Sequence, residues 1–201
     1  MDNKPLTKQS VLEAEQYLSR FCNVMNRLIA VQGHCTIADR EFQPFQTLIT
    51  SIISQQLSKK AADTIKRRVQ AIVPTLSAVS MLGVNTEDLR SAGLSYAKVR
   101  TIRELAQRVH DGRLCLDAIH EKADGEVITS LVELPGIGLW TAEMFLIFGL
   151  RRPDVLALGD TGLHRAFRIL FAEDAIFEKV SQPWRPYRSV ASWYLWGHLD
   201  S

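Results

Sequence analysis

Apolar positions recur every third or fourth residue along most of the chain, the spacing at which a helix turns one face to a core. From Val11 to Ala30 this face is Leu12, Tyr17, Leu18, Phe21, Val24, Met25, Leu28 and Ile29, which predicts an amphipathic helix. Between Pro44 and Pro74 there is neither Pro nor Gly, so Phe42 to Ile72 reads as two helices parted by a non-glycine turn, or as one long bent helix, with SQQLS (54–58) as the break. Shorter helices are expected at Thr75–Met81 and Thr86–Arg90, and a longer one from Tyr96 to Asp111 that Gly112 stops. Glu126–Glu133, Leu139–Leu150 and Thr161–Phe171 carry the same period, and Pro183 and Pro186 open a last helix on which Trp193 and Trp196 share a face. No segment sustains the alternation of a buried strand. The expected class is all-α, in two helical lobes.

Leu131 to Leu150, LVELPGIGLWTAEMFLIFGL, departs from this plain pattern. Pro135 fixes one backbone angle, and Gly136 and Gly138 permit left-handed or closely approached geometry, so a tight hairpin joins two helices. The amides opening the second helix point out of the turn toward an anionic oxygen. A bland turn between packed helices has a similar sequence. Ten residues beyond Leu150 stands Asp160, in LALGDTGLHRAF, at the start of a helical run. Two readings stand: a plain N-cap, or an oriented carboxylate that stabilises developing positive charge or directs a water.

The segments LPGIGLWTAEM and GDTGLHRAF, with ITSIISQQLSKKAA before them and WRPYRSVASWYLW after, resemble the helix-hairpin-helix DNA glycosylases, and within them the 3-methyladenine DNA glycosylase II branch. The similarity runs over roughly Glu41 to Leu199. It implies a two-lobed helix-hairpin-helix glycosylase fold without the N-terminal antiparallel-sheet domain of larger members, and a more open lesion pocket. Its divisions would be 1–41, an N-terminal helix packing with the C-terminal lobe; 42–125, a central lobe with a DNA-intercalating turn; and 126–201, a C-terminal lobe holding the hairpin and the aspartate. The lobes would form a cleft where the hairpin and Asp160 meet the Gln55–Gln56 break.

The resemblance makes Asp160 the catalytic aspartate and Gly136 and Gly138 the DNA-gripping hairpin. Relatives that also cut the strand carry a Schiff-base lysine two residues after the last hairpin glycine; here that residue is Trp140, so hydrolysis of the N-glycosidic bond alone is expected, leaving an abasic site. Trp140 is either a core aromatic or a base-stacking one, and with Trp196 and Met144 it is assigned to the lesion pocket, where aromatic faces attract cationic alkylated purines. Gln56 matches the family's wedge position, and Gln55 would orient the loop from behind. Thr141 and Lys98 are further candidate DNA contacts. The carbonyls matching Val132, Leu134 and Ile137 hold a structural Na+ or K+ in relatives, with no catalytic metal.

Composition narrows the picture. The chain has 201 residues, 46% of them apolar, and a net charge of +2, with 17 basic against 13 acidic residues in 1–125 and 7 against 9 in 126–201. A large polycationic face is excluded, so DNA affinity rests on hairpin amides and a few side chains among Lys59, Lys60, Arg67, Lys98 and Arg100. The three cysteines, Cys22, Cys35 and Cys115, suit neither a disulfide framework nor an iron-sulfur cluster, and the five histidines lack ligand spacing. The expectation is a monomer without membrane segments, cytoplasmic and nucleoid-associated if bacterial, acting on double-stranded DNA with damaged bases. Two alternatives stay open: a non-enzymatic binder of DNA structure, and a glycosylase for mismatched or oxidised bases.

Overall fold

Twelve α-helices, with short 3-10 turns and one π turn between them, and no strand, make up the described residues, 4–200, of the computed structural model. The chain divides into two units, residues 1–41 with 146–201, and residues 42–145. The expected boundary at 125/126 is therefore corrected to 145/146, and the hairpin belongs with the central segment. The cause is local packing: Gln55 and Thr101, both from the central segment, hydrogen-bond to hairpin residues.

In the 42–145 unit, α3 (Pro44–Ser54) is the axle, with Pro44 at its first turn and Leu48, Ile49, Ile52 and Ile53 buried. Each of these side chains stabilises the fold by roughly 2 kcal/mol through burial. Helices α4 (Lys59–Ile72), α7 (Tyr96–His110) and α9 (Leu139–Met144) pack against it. Hydroxyl caps set the starts: Ser58 for α4, Ser77 for α5 (Ala78–Gly83) and Ser95 for α7, while Asn85 caps α6 (Thr86–Ser91). Helix α8 (Asp124–Val132) begins where the Glu126 carboxylate accepts the Ala123 amide, and it packs on α9. The SQQLS break is a turn between α3 and α4, as its lack of glycine allowed.

The other unit wraps α1 (Lys8–Phe21), α2 (Asn23–Gln32) and α10 (Thr161–Leu170) around α12 (Arg188–Asp200), with the single turn α11 (Phe177–Val180) between the last two. The one helix expected over 11–30 is two, because Cys22 adopts an extended conformation, φ −145°, and breaks it. The last helix starts at Arg188 rather than at the prolines, which lie in a 3-10 turn and a cis Arg185–Pro186 bond. Its first turn is anchored by Asp154, which receives two guanidinium bonds from Arg188, 2.6 and 2.9 Å, and one from Arg185, 3.1 Å.

A polar knot fixes α12 to the first two helices. The Tyr194 hydroxyl lies 2.7 Å from Glu15 Oε1 and 2.8 Å from the Gly33 carbonyl, and Glu15 also accepts the Cys35 amide at 2.8 Å. Burial, and then the Glu15 carboxylate, push the Tyr194 phenol far up, so it stays a donor. Burial likewise raises the Cys35 thiol to about 12. No helix among the described residues is long and apolar enough to cross a membrane.

Candidate DNA-binding and base-release site

The hairpin is held from two sides within the 42–145 unit. Gly136 has φ +87°, and a Cβ there would lie 2.1 Å from Thr101 Oγ1, so only glycine fits. The Thr101 hydroxyl uses that closeness to donate to the Pro135 carbonyl at 2.9 Å. From the other side Gln55 Nε2 donates to the Gly136 carbonyl and to Thr141 Oγ1, both at 2.9 Å. Gly138 differs from Gly136: its φ of −99° suits any residue and nothing lies within 4 Å of a Cβ placed there. No internal contact demands a glycine at 138; its missing side chain leaves the opening of α9 clear.

The same brace reaches the turn after α3. Lys98 Nζ donates to the carbonyls of Ile53 and Gln55, each at 2.8 Å, which satisfies the end of that helix. Burial lowers the pKa of this ammonium. Lys98 and Thr141, expected to meet DNA directly, are thus bonded inside the protein; Thr141 is only 2% exposed. Both side chains act as supports, because the carbonyl end of α3 and the amide of Gln55 need partners. Gln55 is partly buried by its bonds, whereas Gln56 is exposed, with φ +55°, a left-handed conformation unusual for a residue with a side chain. The two adjacent glutamines therefore point to different tasks. Leu57, which sequence reading passed over, is also exposed on this turn.

Asp160 lies in the other unit, at the N-cap of α10. Its Oδ1 accepts the Leu163 amide at 2.7 Å and the Trp196 indole N–H at 2.9 Å. The side chain is only 9% exposed. Behind it, His164 Nε2 lies 2.7 Å from the Leu158 carbonyl and closes the loop that delivers the aspartate. The Trp196 ring is tilted against Phe148, centroids 5.6 Å apart, and the Arg40 guanidinium lies over Phe148 at 4.9 Å. Phe148 and Arg40 were not legible as neighbours of Trp196, since no periodicity links α12 to residue 148 or 40. Phe148 lies in the π turn Phe145–Gly149 that follows α9, a geometry often found near functional residues.

Trp196 and Asp160 are thus brought together in one unit, and Gly136, Thr141 and Lys98 are linked through Gln55 in the other. Trp140, half-buried on the first turn of α9, and Met144, buried at its end, belong to the 42–145 unit. The hairpin carbonyls of Val132, Leu134 and Ile137 are hard oxygen donors; that of Leu134 accepts the Ile137 amide at 3.0 Å and keeps its second lone pair. Among the described residues no group of three or more His, Cys, Asp or Glu gathers as a metal cluster.

Comparison with known proteins places this geometry. The chain is 30% identical to DNA-3-methyladenine glycosylase 1 of Schizosaccharomyces pombe, with 93% of this chain and 87% of the relative covered. It is 29% identical to that organism's alkylbase DNA glycosidase-like protein mag2, with 91% of each covered. Among solved structures, the S. pombe 3-methyladenine DNA glycosylase bound to abasic DNA superposes with a TM-score of 0.81 at 28% identity, over 94% of this chain and 97% of that one. A DNA-3-methyladenine glycosidase from Bacillus halodurans gives 0.72 at 34% identity, over 92% and 88%. The profile of the HhH-GPD superfamily of base excision DNA repair proteins matches residues 49–186, and the chain belongs to that superfamily.

Proposed function

We propose that this protein is a monofunctional DNA glycosylase that hydrolyses the N-glycosidic bond of alkylated purines such as 3-methyladenine, leaving an abasic site. The observation that carries the reading is the nearly buried Asp160 carboxylate, gripped through Oδ1 by a helix amide and an indole N–H. Its relatives named as 3-methyladenine glycosylases support the substrate class.

In this mechanism the hairpin receives a DNA phosphate at the opening of α9, where Gly138 leaves room for close approach. Gln56 fills the gap left by the everted nucleotide. Trp140 and Met144 in one unit and Trp196 in the other are assigned to the extruded base, since aromatic faces favour a cationic purine. The bond from C1′ to the base nitrogen breaks with its electron pair leaving on the base, already a good leaving group when alkylated. Asp160 stabilises the sugar cation and directs the water that adds to C1′, its proton passing to solvent. Trp140 provides no amine for a Schiff base, so the strand stays intact. A monovalent cation on the carbonyls of Val132, Leu134 and Ile137 would supply positive charge to the phosphate grip. The protein works as a monomer on double-stranded DNA.

Single-turnover release of 3-methyladenine and 7-methylguanine from methylated duplex tests the reading, with Asp160→Asn as control and alkali to reveal abasic sites. Release that needs Asp160, with strand breaks only after alkali, is expected. No release despite tight binding to abasic DNA would replace the enzyme by a DNA-structure binder, and release confined to mismatched or oxidised bases would move the substrate class.

A further inference from the structure

We propose that Trp196 is a positioning residue for Asp160, its indole N–H fixing the direction of the carboxylate during base release; the proposal rests on the reading of Asp160 as the catalytic carboxylate. For capping alone one backbone amide suffices, as at Ser58 and Ser95. Oδ1 of Asp160 takes a second donor from a different helix, 36 residues along the chain, at 2.9 Å. Two donors on one oxygen, one from α10 and one from α12, stop the carboxyl group from turning about its Cβ–Cγ bond.

Two further features favour an engineered alignment over a chance contact. A Cβ at Gly162 would lie 3.0 Å from Asp160 Oδ1 and 3.4 Å from Trp196 Cδ1, so the bare glycine is what lets the indole reach the carboxylate. The helix that carries the indole is itself fixed two residues earlier, where the Tyr194 hydroxyl meets Glu15 and Gln32 Nε2 donates to the Tyr194 carbonyl at 2.9 Å. Phe148 flanks the indole, limiting its tilt. A base-stacking ring needs only its face, whereas this contact uses the ring edge. The two roles are compatible, and they are separable by removing the N–H alone.

The test compares wild type with protein carrying benzothienylalanine at position 196, which keeps the bicyclic shape and aromatic face but replaces N–H by sulfur. Trp196→Phe and Asp160→Asn complete the series. Single-turnover release and affinity for an abasic duplex are measured on each, with the thermal midpoint as a check on folding. The isostere is expected to slow release about tenfold, the worth of a hydrogen bond to a charged group, while abasic-duplex affinity changes less than about threefold. An isostere as fast as wild type, beside an inactive Asp160→Asn, would overturn the positioning role and leave the glycosylase reading standing. Slowing by Trp196→Phe alone would assign the ring to stacking and likewise overturn it. Undiminished release by Asp160→Asn would remove the catalytic reading itself. If Trp196→Phe melts early, the isostere still decides the matter.

Discussion

The two units invert each other's logic. In the 42–145 unit, side chains hold main chain: Gln55, Thr101 and Lys98 spend their polar atoms on the carbonyls of Gly136, Pro135, Ile53 and Gln55. In the other unit, a main-chain amide and a neighbouring helix hold one side chain, Asp160. In the proposed mechanism a phosphate backbone, which repeats along DNA, is met by a fixed protein backbone, and a sugar carbon, which exists once per lesion, by one aimed group. The difference teaches where mutational sensitivity should fall: binding should follow the supports of the first unit, and chemistry the single carboxylate of the second.

The largest expected effect is on chemistry. Asp160→Asn should lower single-turnover release by on the order of 10²- to 10³-fold while abasic-duplex affinity stays within about threefold. Equal losses in both would merge the two logics. Gly136→Ala comes next, since it adds a strained φ and a clash with Thr101 Oγ1. About 3 kcal/mol of stability should go, a fall of roughly 10 °C in melting temperature, together with weaker abasic-DNA binding. A melting curve unchanged from wild type would refute the account of the hairpin.

Lys98→Met sharpens the comparison further. If the ammonium braces carbonyls, stability falls by about 2 kcal/mol and the salt dependence of DNA binding keeps its slope. A slope reduced by about one without loss of stability would return Lys98 to the phosphate. Smaller still is the contrast between the paired glutamines. Gln55→Ala should cost about 1 kcal/mol, whereas Gln56→Ala should change stability by less than about 0.5 kcal/mol and weaken binding to the lesion duplex; calorimetry and titration of both variants would expose a reversal. The smallest effect is a label: Cys115, exposed, should react with a thiol reagent at pH 8, while buried Cys35, raised to about 12, should react only on unfolding. Rapid loss of both thiols in native protein would contradict the knot around Glu15.

What was legible in the sequence was local. Pro135 and Gly136 announce a hairpin because left-handed geometry is written into residue type, and the glycine-free SQQLS break announces a turn through the apolar runs on either side. Asp160 reads as a cap for the same reason. The bonds from Gln55 to Gly136, from Lys98 to the end of α3 and from Trp196 to Asp160 join residues 81, 43 to 45 and 36 positions apart. No period or spacing rule reaches that far. That is why neither Lys98 nor Thr141 reads as a brace, why the unit boundary was expected twenty residues too early, and why Trp196 was read for its face and not for its edge.

The exposed Gln56 carries one consequence of its own. Its left-handed backbone costs about 1 kcal/mol relative to an ordinary conformation, and the cost is met once, when the chain folds. A turn already bent does not have to be ordered anew at each DNA site the protein samples. With Gln56 as the wedge of the proposed mechanism, sampling undamaged sequence carries no recurring entropy charge at that point.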